Sequence, residues 1–339
     1  MRITTNAIIR NYRSNLGASL SNLDSARTKV MTGRQFISAA ENPGAALRSS
    51  TLYRKYARNQ DYLSSVKDVQ SFQDSQEDAA MQINDLASTL SKQYGLEALN
   101  GTNGSADIRK TYADAWRGAQ ESMLLSLNAT YEGKFVFSGN DGQEAPFKLG
   151  PDKNGKQTLF YRGIDVNSTD PKDQALLEEL SKEASYVDLG FGMTTDKNGK
   201  TDPSSAFNTS LPGINLVGYG QDDKGNPKNM VLLAGQIADT LETEPFDKAK
   251  YEELLNSFDK GRTDVLEQVT TLGTKTEFLE TTKERLETNE INLATQIDSL
   301  VNVDMAGAIT EFSWAQYAYN AALKVGTNIL SPSFIDFMK

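Results

Sequence analysis

Apolar residues recur over the first thirty positions at steps of seven, Ile9, Leu16, Leu23 and Val30, with Tyr12, Ser19 and Ala26 three residues after the first three. This 3.5-residue period is the seam of a coiled coil, and its small members let two helices approach closely. Gly33 supplies a stop. A second start follows at Glu41-Asn42-Pro43, where Asn42 can cap and Pro43 can take the first helical position without losing a needed donor. From there to Tyr94 the only glycine is Gly44, and the seam Val69, Phe72, Gln76, Ala79, Ile83, Leu86 and Leu90 keeps the same period. An uninterrupted helix over that span is roughly 78 Å long, more than a compact globule uses. Asn100-Gly101-Thr102-Asn103-Gly104 reads as a turn, and residues 105–131 as a third helix with Ile108, Tyr112, Ala115, Ala119 and Met123 on one side.

At Glu132-Gly133 the pattern changes to short alternating runs: Phe135-Val136-Phe137, Leu159-Phe160-Tyr161, Tyr186-Val187-Asp188-Leu189 and Leu216-Val217. Asn154-Gly155, Asn198-Gly199 and Gly225-Asn226-Pro227 punctuate them with turn chemistry, so residues 135–245 read as a strand-rich insert. Helical pattern returns at Asp247, is expected to stop at Gly261, and resumes to Leu300. Its column Val265, Leu272, Leu279, Leu286, Leu293 and Leu300 repeats every seven residues, while the companion seam carries Thr276, Lys283 and Glu290. So many polar residues imply a helix with one face on a core, paired with the helix that starts at Pro43. The tail Ile309, Phe312, Gln316, Tyr319, Leu323, Gly326 and Leu330 keeps the 3.5 period up to Ser331-Pro332, and extra alanines widen its apolar surface, pointing to burial by other subunits.

The predicted class is mainly α with a β-rich insert (α+β). Its N- and C-terminal arms form a long antiparallel coiled-coil-like rod, with a strand-rich inserted domain at the far end. Residues 1–40 and 301–339 form terminal helices for assembly, 41–134 and 260–300 the rod core, and 135–259 the insert with short helices. Subunit contacts are expected at Ile9, Leu16, Leu23, Val30, Ile309, Phe312, Tyr319, Leu323 and Leu330. Packing within the rod is expected at Ile83, Leu86, Leu90, Leu272, Leu279, Leu286, Leu293 and Leu300.

Composition narrows the chemistry. Hydrophobic residues are 38% of the 339, below the ~45–50% of an average globular chain, as suits long helices with narrow stripes. With no Cys and no His, thiol nucleophiles, disulfides, the usual zinc sites and the commonest general base are all missing. Glu178-Glu179 and Glu252-Glu253 have no nucleophile partner, so no catalytic, cofactor or metal residue is expected and the chain is not expected to be an enzyme. A net charge of −10 argues against nucleic acid as a partner. Residues 1–34 nevertheless carry Arg2, Arg10, Arg13, Arg27, Lys29 and Arg34 against Asp24 alone, a basic segment suited to an acidic neighbour. Met1 to Asn15 lacks the apolar stretch of a signal peptide, and no run suits a membrane helix, so if the protein leaves the cell it does so by a route that does not read such a signal.

Asp152-Lys153-Asn154-Gly155 and Asp196-Lys197-Asn198-Gly199 look faintly like calcium loops but lack the further carboxylates, and read as hairpin turns. The sequons at Asn128, Asn167 and Asn208 match chance. Trp116 and Trp314 fall in helical seams and read as packing residues.

Taken together, the ends resemble the flagellin superfamily and, within it, the hook-associated proteins of the hook-filament junction. The residues that carry this are Met1-Arg2-Ile3-Thr4-Thr5-Asn6, Leu16, Leu20 and Leu23, Thr32-Gly33-Arg34-Gln35 and Glu41-Asn42-Pro43. At the other end they are Met305 to Glu311 and Ala315 to Leu323, and Phe135 to Asn140 with Pro146-Phe147 favours the junction group. The single acidic Glu41 before Asn42-Pro43 departs from the family's frequent Asp pair. The resemblance implies a secreted structural subunit of the bacterial flagellum, exported by the type III apparatus with a dedicated chaperone, its ends disordered until assembly. Implied partners are further copies of itself in a ring, a hook-associated protein on the hook side and flagellin on the filament side, with neither nucleic acid nor membrane. A filament flagellin is the alternative, and an outward adhesive role for residues 145–245 a further one.

Overall fold

A computed structural model describes residues 2–98, 105–152 and 155–330, with side chains from residue 6 to residue 327 at the two ends. The Asn100–Gly104 turn and the Ser331-Pro332 stop lie outside them. The chain is mainly helical, with long helices at both ends and a small strand-containing insert. It divides into two compact units, residues 1–60 with 287–339 and residues 61–286.

Helix α1 (Arg2–Thr32) ends at Gly33, whose φ of 68° is the left-handed conformation that glycine tolerates at a helix end. Helix α2 (Pro43–Thr89) begins where expected, with Asn42 Oδ1 accepting the Ala45 N–H at 3.0 Å. It runs into a π-turn (Leu90–Gly95), and the Gly95 carbonyl accepts a 3.1 Å bond from Tyr251 Oη. Burial holds that phenol above its ordinary pKa.

Helix α3 (Ala106–Leu127) is shorter than predicted, and its buried residues are Arg109, Ala113, Trp116, Ala119, Gln120, Met123, Ser126 and Leu127. Of the expected stripe Ala119 and Met123 are buried and Tyr112 and Ala115 half-buried, while Ile108 is exposed and Arg109 is buried in an ion pair with Glu244.

The insert holds seven short strands, three of them at runs that were expected, together with three helices. The strands are β1 (Thr130–Tyr131), β2 (Lys134–Phe135), β3 (Phe147–Pro151), β4 (Gln157–Tyr161), β5 (Ile164–Asp165), β6 (Tyr186–Val187) and β7 (Phe207–Asn208). They pair antiparallel as β1-β2, β3-β4-β5 and β6-β7. Between them lie helices α4 (Pro171–Ser181), α5 (Gly213–Val217) and α6 (Met230–Glu242). Leu216-Val217, expected as a strand, is therefore helical. Helix α6 lies where a strand-rich insert was expected: its polar residues Gln236, Asp239 and Thr240 share one face, and its apolar residues are buried. Asn229 caps it, its Oδ1 accepting from Val231 N and Leu232 N.

Three turns share one design. Asp152, Asp196 and Asp222 each accept, on Oδ1, the N–H four residues on, closing hairpins that pair Pro151 with Gln157, Thr195 with Thr201 and Gln221 with Pro227. The glycine three residues after each aspartate has φ near 80°. The carboxylates are occupied by backbone, which is turn chemistry and not a calcium loop.

Helix α7 (Lys248–Val301) runs straight through Gly261, where a stop was expected. A mid-helix glycine costs about 1 kcal/mol against alanine. Here it admits Met230 of α6, whose Cγ would lie 2.6 Å from an added Cβ.

Within residues 61–286, one core gathers Ile83 and Leu90 with Trp116 and Met123, the strand residues Phe147, Leu159 and Tyr161, Leu233 and Ile237 of α6, and Phe258, Val265 and Leu272 of α7. A second cluster joins Leu63, Val66 and Val69 of α2 to Leu279 and Leu286 of α7 and to Leu189 and Phe207 of the insert. Glu77 Oε2 accepts from Thr276 Oγ1 at 3.1 Å, so a polar residue of the companion seam is satisfied across the antiparallel pair. Two fully buried glutamines of α2 hold the insert: Gln73 Nε2 donates to the Thr209 carbonyl at 3.0 Å, and Gln76 Nε2 to the Val136 carbonyl at 2.6 Å.

Trp116 packs edge-on against Phe258 at 4.9 Å. Replacing it with alanine should lower the stability of this unit by about 3–5 kcal/mol. A urea titration followed by circular dichroism reads the effect, and an unchanged midpoint would contradict the packing described.

Candidate assembly surface

Residues 1–60 with 287–339 contain the two chain ends. Helix α8 (Met305–Leu330) starts at Asp304, whose carboxylate accepts from Ala306 N and Gly307 N. It lies antiparallel on α1, with Tyr12 against Gly326 at one end and Lys29 paired with Glu311 at 3.2 Å toward the other. Ile9, Tyr12, Leu16, Ser19, Leu23 and Val30 are half-buried along the 3.5-residue seam, and Ala26 is fully buried. The facing residues of α8 are Ala308, Phe312, Ala315, Tyr319, Ala322 and Gly326. Part of the cover that the apolar tail needs thus comes from α1 of the same chain.

Tyr12 sets the register of the pair. Its Oη donates to the Ala322 carbonyl at 3.2 Å, and its ring fills the place where a side chain on residue 326 would stand. The Lys29–Glu311 pair is exposed and is worth little beyond alignment. Where both arms break, Gln35 N donates to Val301 O at 2.8 Å and Val303 N to Gly33 O at 2.9 Å, so the two linkers run side by side. Beyond them, Tyr56 Oη of α2 donates to Glu290 Oε1 of α7 at 2.9 Å, and Gln60 Nε2 donates to the same oxygen. That hydrogen bond, followed by burial, raises the Tyr56 pKa.

Among the residues of α8 that α1 leaves uncovered are several large apolar ones. Ile309 and Leu323 are exposed, as are Trp314 (68%) and Tyr317 (70%), which meet edge to face at 6.4 Å, with Ile8, Leu20 and Met31 exposed on α1. Trp314 is therefore not the packing residue its seam suggested, whereas Trp116 is fully buried. The Leu330 side chain lies outside the described ones. Of the rod residues, Ile83, Leu90, Leu272, Leu279 and Leu286 are buried, while Leu86, Leu293 and Leu300 are half-buried. The Tyr12–Gly326 contact was not foreseen: both residues stand on predicted seams, but their apposition depends on a register that neither seam states.

Residues 3–141 match the bacterial flagellin N-terminal helical region, and residues 255–330 the bacterial flagellin C-terminal helical region, together more than half the chain. The chain belongs to the flagellin superfamily. As a member it is a structural, non-enzymatic component of the flagellum, an extracellular appendage built by self-association of such subunits. Among solved structures, this flagellin-superfamily chain shares its fold with a Vibrio parahaemolyticus chain assigned as a flagellar hook-associated protein. The two are 18% identical, with 77% of this chain and all of the other covered and a TM-score of 0.58. Xanthomonas campestris FlgL in one crystal form is 14% identical, with 73% of this chain and 99% of the other covered and a TM-score of 0.50. No curated protein sequence is matched at a significant level. No described helix is long and apolar enough to cross a membrane.

Two glycine substitutions should act in opposite directions on the terminal pair. Gly17 has nothing within 4 Å of an added Cβ, so Gly17→Ala should raise helix stability by about 1 kcal/mol. Gly326→Ala should instead displace Tyr12 and speed amide hydrogen exchange in α1 and α8; equal protection in the two variants would show that Tyr12 does not set the register.

Proposed function

We propose that this chain is the structural subunit that joins the hook to the filament. The observation that carries the reading is the terminal helix pair, which satisfies one face of α8 and leaves Ile309, Trp314, Tyr317 and Leu323 uncovered. Its support from likeness is a fold that spans the whole of the two solved chains just described, one assigned as hook-associated and the other FlgL.

In this reading, residues 1–40 and 301–339 meet neighbouring copies in a ring. Residues 41–134 and 260–300 supply the rigid helices, and residues 135–259 project as the insert. Ile9, Leu16, Leu23, Val30, Ile309, Phe312, Tyr319, Leu323 and Leu330 carry the assembly contacts, directly or by shaping the pair. One edge of the ring meets a hook-associated protein and the other meets flagellin. The chain leaves the cell through the flagellar type III export apparatus, with a dedicated chaperone shielding the apolar tail until neighbours bury it. An exposed aromatic pair on a helix with little charge is a hazard before assembly and an anchor after it.

Removing the gene should leave completed hooks without filaments and flagellin shed into the medium, scored by electron microscopy and by assay of the culture supernatant. Loss of filaments with no shed flagellin would instead make the chain the filament flagellin. In the purified protein, deletion of residues 305–339 should leave residues 61–286 folded yet unable to join a flagellum; normal incorporation of the truncated chain would refute assembly through the terminal pair.

A further inference from the structure

We propose that Arg54 and Arg58, on an exposed basic face of α2, pair with Asp74 and Asp78 of a second copy of this chain, so that ion pairs set how neighbouring subunits lie. The chain is charged unevenly. Its first sixty residues carry ten basic and two acidic side chains, within a net charge of −10. Four of the ten, Arg48, Arg54, Lys55 and Arg58, stand exposed on α2 together with Leu47 and Tyr53. None of the four makes an ion pair among the described residues, and Arg54 reaches only the Ser50 carbonyl and Thr51 Oγ1 of its own helix. A cationic row without anions on its own chain is free to take them from another.

The complementary face lies where α2 meets α7. Asp74 and Asp78 are exposed on α2, Glu280 is exposed on α7, and half-buried Glu77 holds Thr276 Oγ1 of α7 on its Oε2. The four carboxylates crowd one another, with no cation at ion-pairing distance among the described residues. Partial burial, and then the Glu77, Asp78 and Glu280 charges, raise the Asp74 pKa. The group does not come close enough together to hold a metal ion. Exposed Met81 stands one turn on from Asp78 and gives this face apolar surface, as Leu47 does for the basic one.

The two faces match in spacing as well as in sign. Arg54 and Arg58 stand one helical turn apart, and so do Asp74 and Asp78. Two copies of α2 laid side by side therefore oppose two ion pairs at once. One exposed pair contributes little, but a forked guanidinium on each of two carboxylates fixes geometry as well as charge. Because the paired patches are different, the contact is heterologous and repeats from one copy to the next, the kind that builds rings and tubes. It rests on self-association, which membership of the flagellin superfamily supplies, and holds whichever part of the flagellum the copies build. A nucleic acid would offer the same row its phosphates, but the charge of the whole chain repels it.

The test is sedimentation velocity of the full chain over a range of protein and salt concentrations. The parent should self-associate, more weakly as salt is added. Arg54→Glu with Arg58→Glu, and Asp74→Lys with Asp78→Lys, should each weaken self-association by about tenfold or more, since like charges then face each other. All four changes in one chain should restore it. The aspartate pair is the decisive one: it makes the chain less negative, so general repulsion between copies would be relieved and association would tighten, whereas loss of the proposed contact loosens it. All four positions are exposed; should one double variant melt at a lower temperature, the other decides. A parent that stays monomeric throughout, association indifferent to salt, an aspartate variant that associates as well as the parent, or a fourfold variant that fails to recover would each overturn the proposal. None of these outcomes touches the junction reading, which the gene-removal experiment decides.

Discussion

A helix whose apolar residues return every 3.5 positions carries a stripe too narrow to bury itself, and each long element of this chain depends on that constraint. Helices α1 and α8 solve it by lying against each other, and α2 and α7 do the same through Leu63, Val66, Val69, Leu279 and Leu286. Burying one such side chain contributes about 1.5–3 kcal/mol before entropy costs, so no single contact holds a pair, and the length of the seam does. The polar interruptions are part of the same arrangement. Thr276 and Glu290, unsuited to a simple zipper, hydrogen-bond across to Glu77 and Tyr56 and align the antiparallel partners.

The insert is tied to these helices by close approach and by buried amides. Gln73 and Gln76 reach from the α2 seam to backbone carbonyls of the insert, where an unpaired amide would be costly. Gly235 and Gly261 remove side chains where α6 meets Gln120 and where α7 meets Met230. The insert is therefore less a β domain hung on a rod than a set of hairpins and one buried helix packed into the same core as α3 and α7.

For a flagellin-superfamily subunit, the division of labour follows from how the stripes are satisfied. Residues 61–286 complete their cores within the chain. The terminal pair does not, and what it leaves over is aromatic and nearly uncharged on α8, beside a basic α1. Contacts of that kind reward a neighbour that excludes water, which is the behaviour of a part made to be incorporated.

The residues by themselves determined the helices whose periodicity is long and strong: the starts at Asn42-Pro43, the stop at Gly33, the seams from Ile9 to Val30 and from Val265 to Leu300, and the flagellin-like ends. Those signals are local, since caps, glycines and heptads act within a few residues of themselves. Tertiary structure alone decided the rest. At the start of α3 Arg109 is buried against Glu244 in place of Ile108, and α7 continues through Gly261, where Met230 packs closely. Met230 to Glu242 is a helix within a segment whose turns and short apolar runs read as strands, its apolar face buried in the core shared with α3 and α7. Which part of α8 faces α1, and so whether Trp314 is core or surface, rests on a register set by Tyr12 and Gly326, residues more than three hundred positions apart in the chain. A seam states that a helix needs a partner, but the partner and the register come from the packing of the whole.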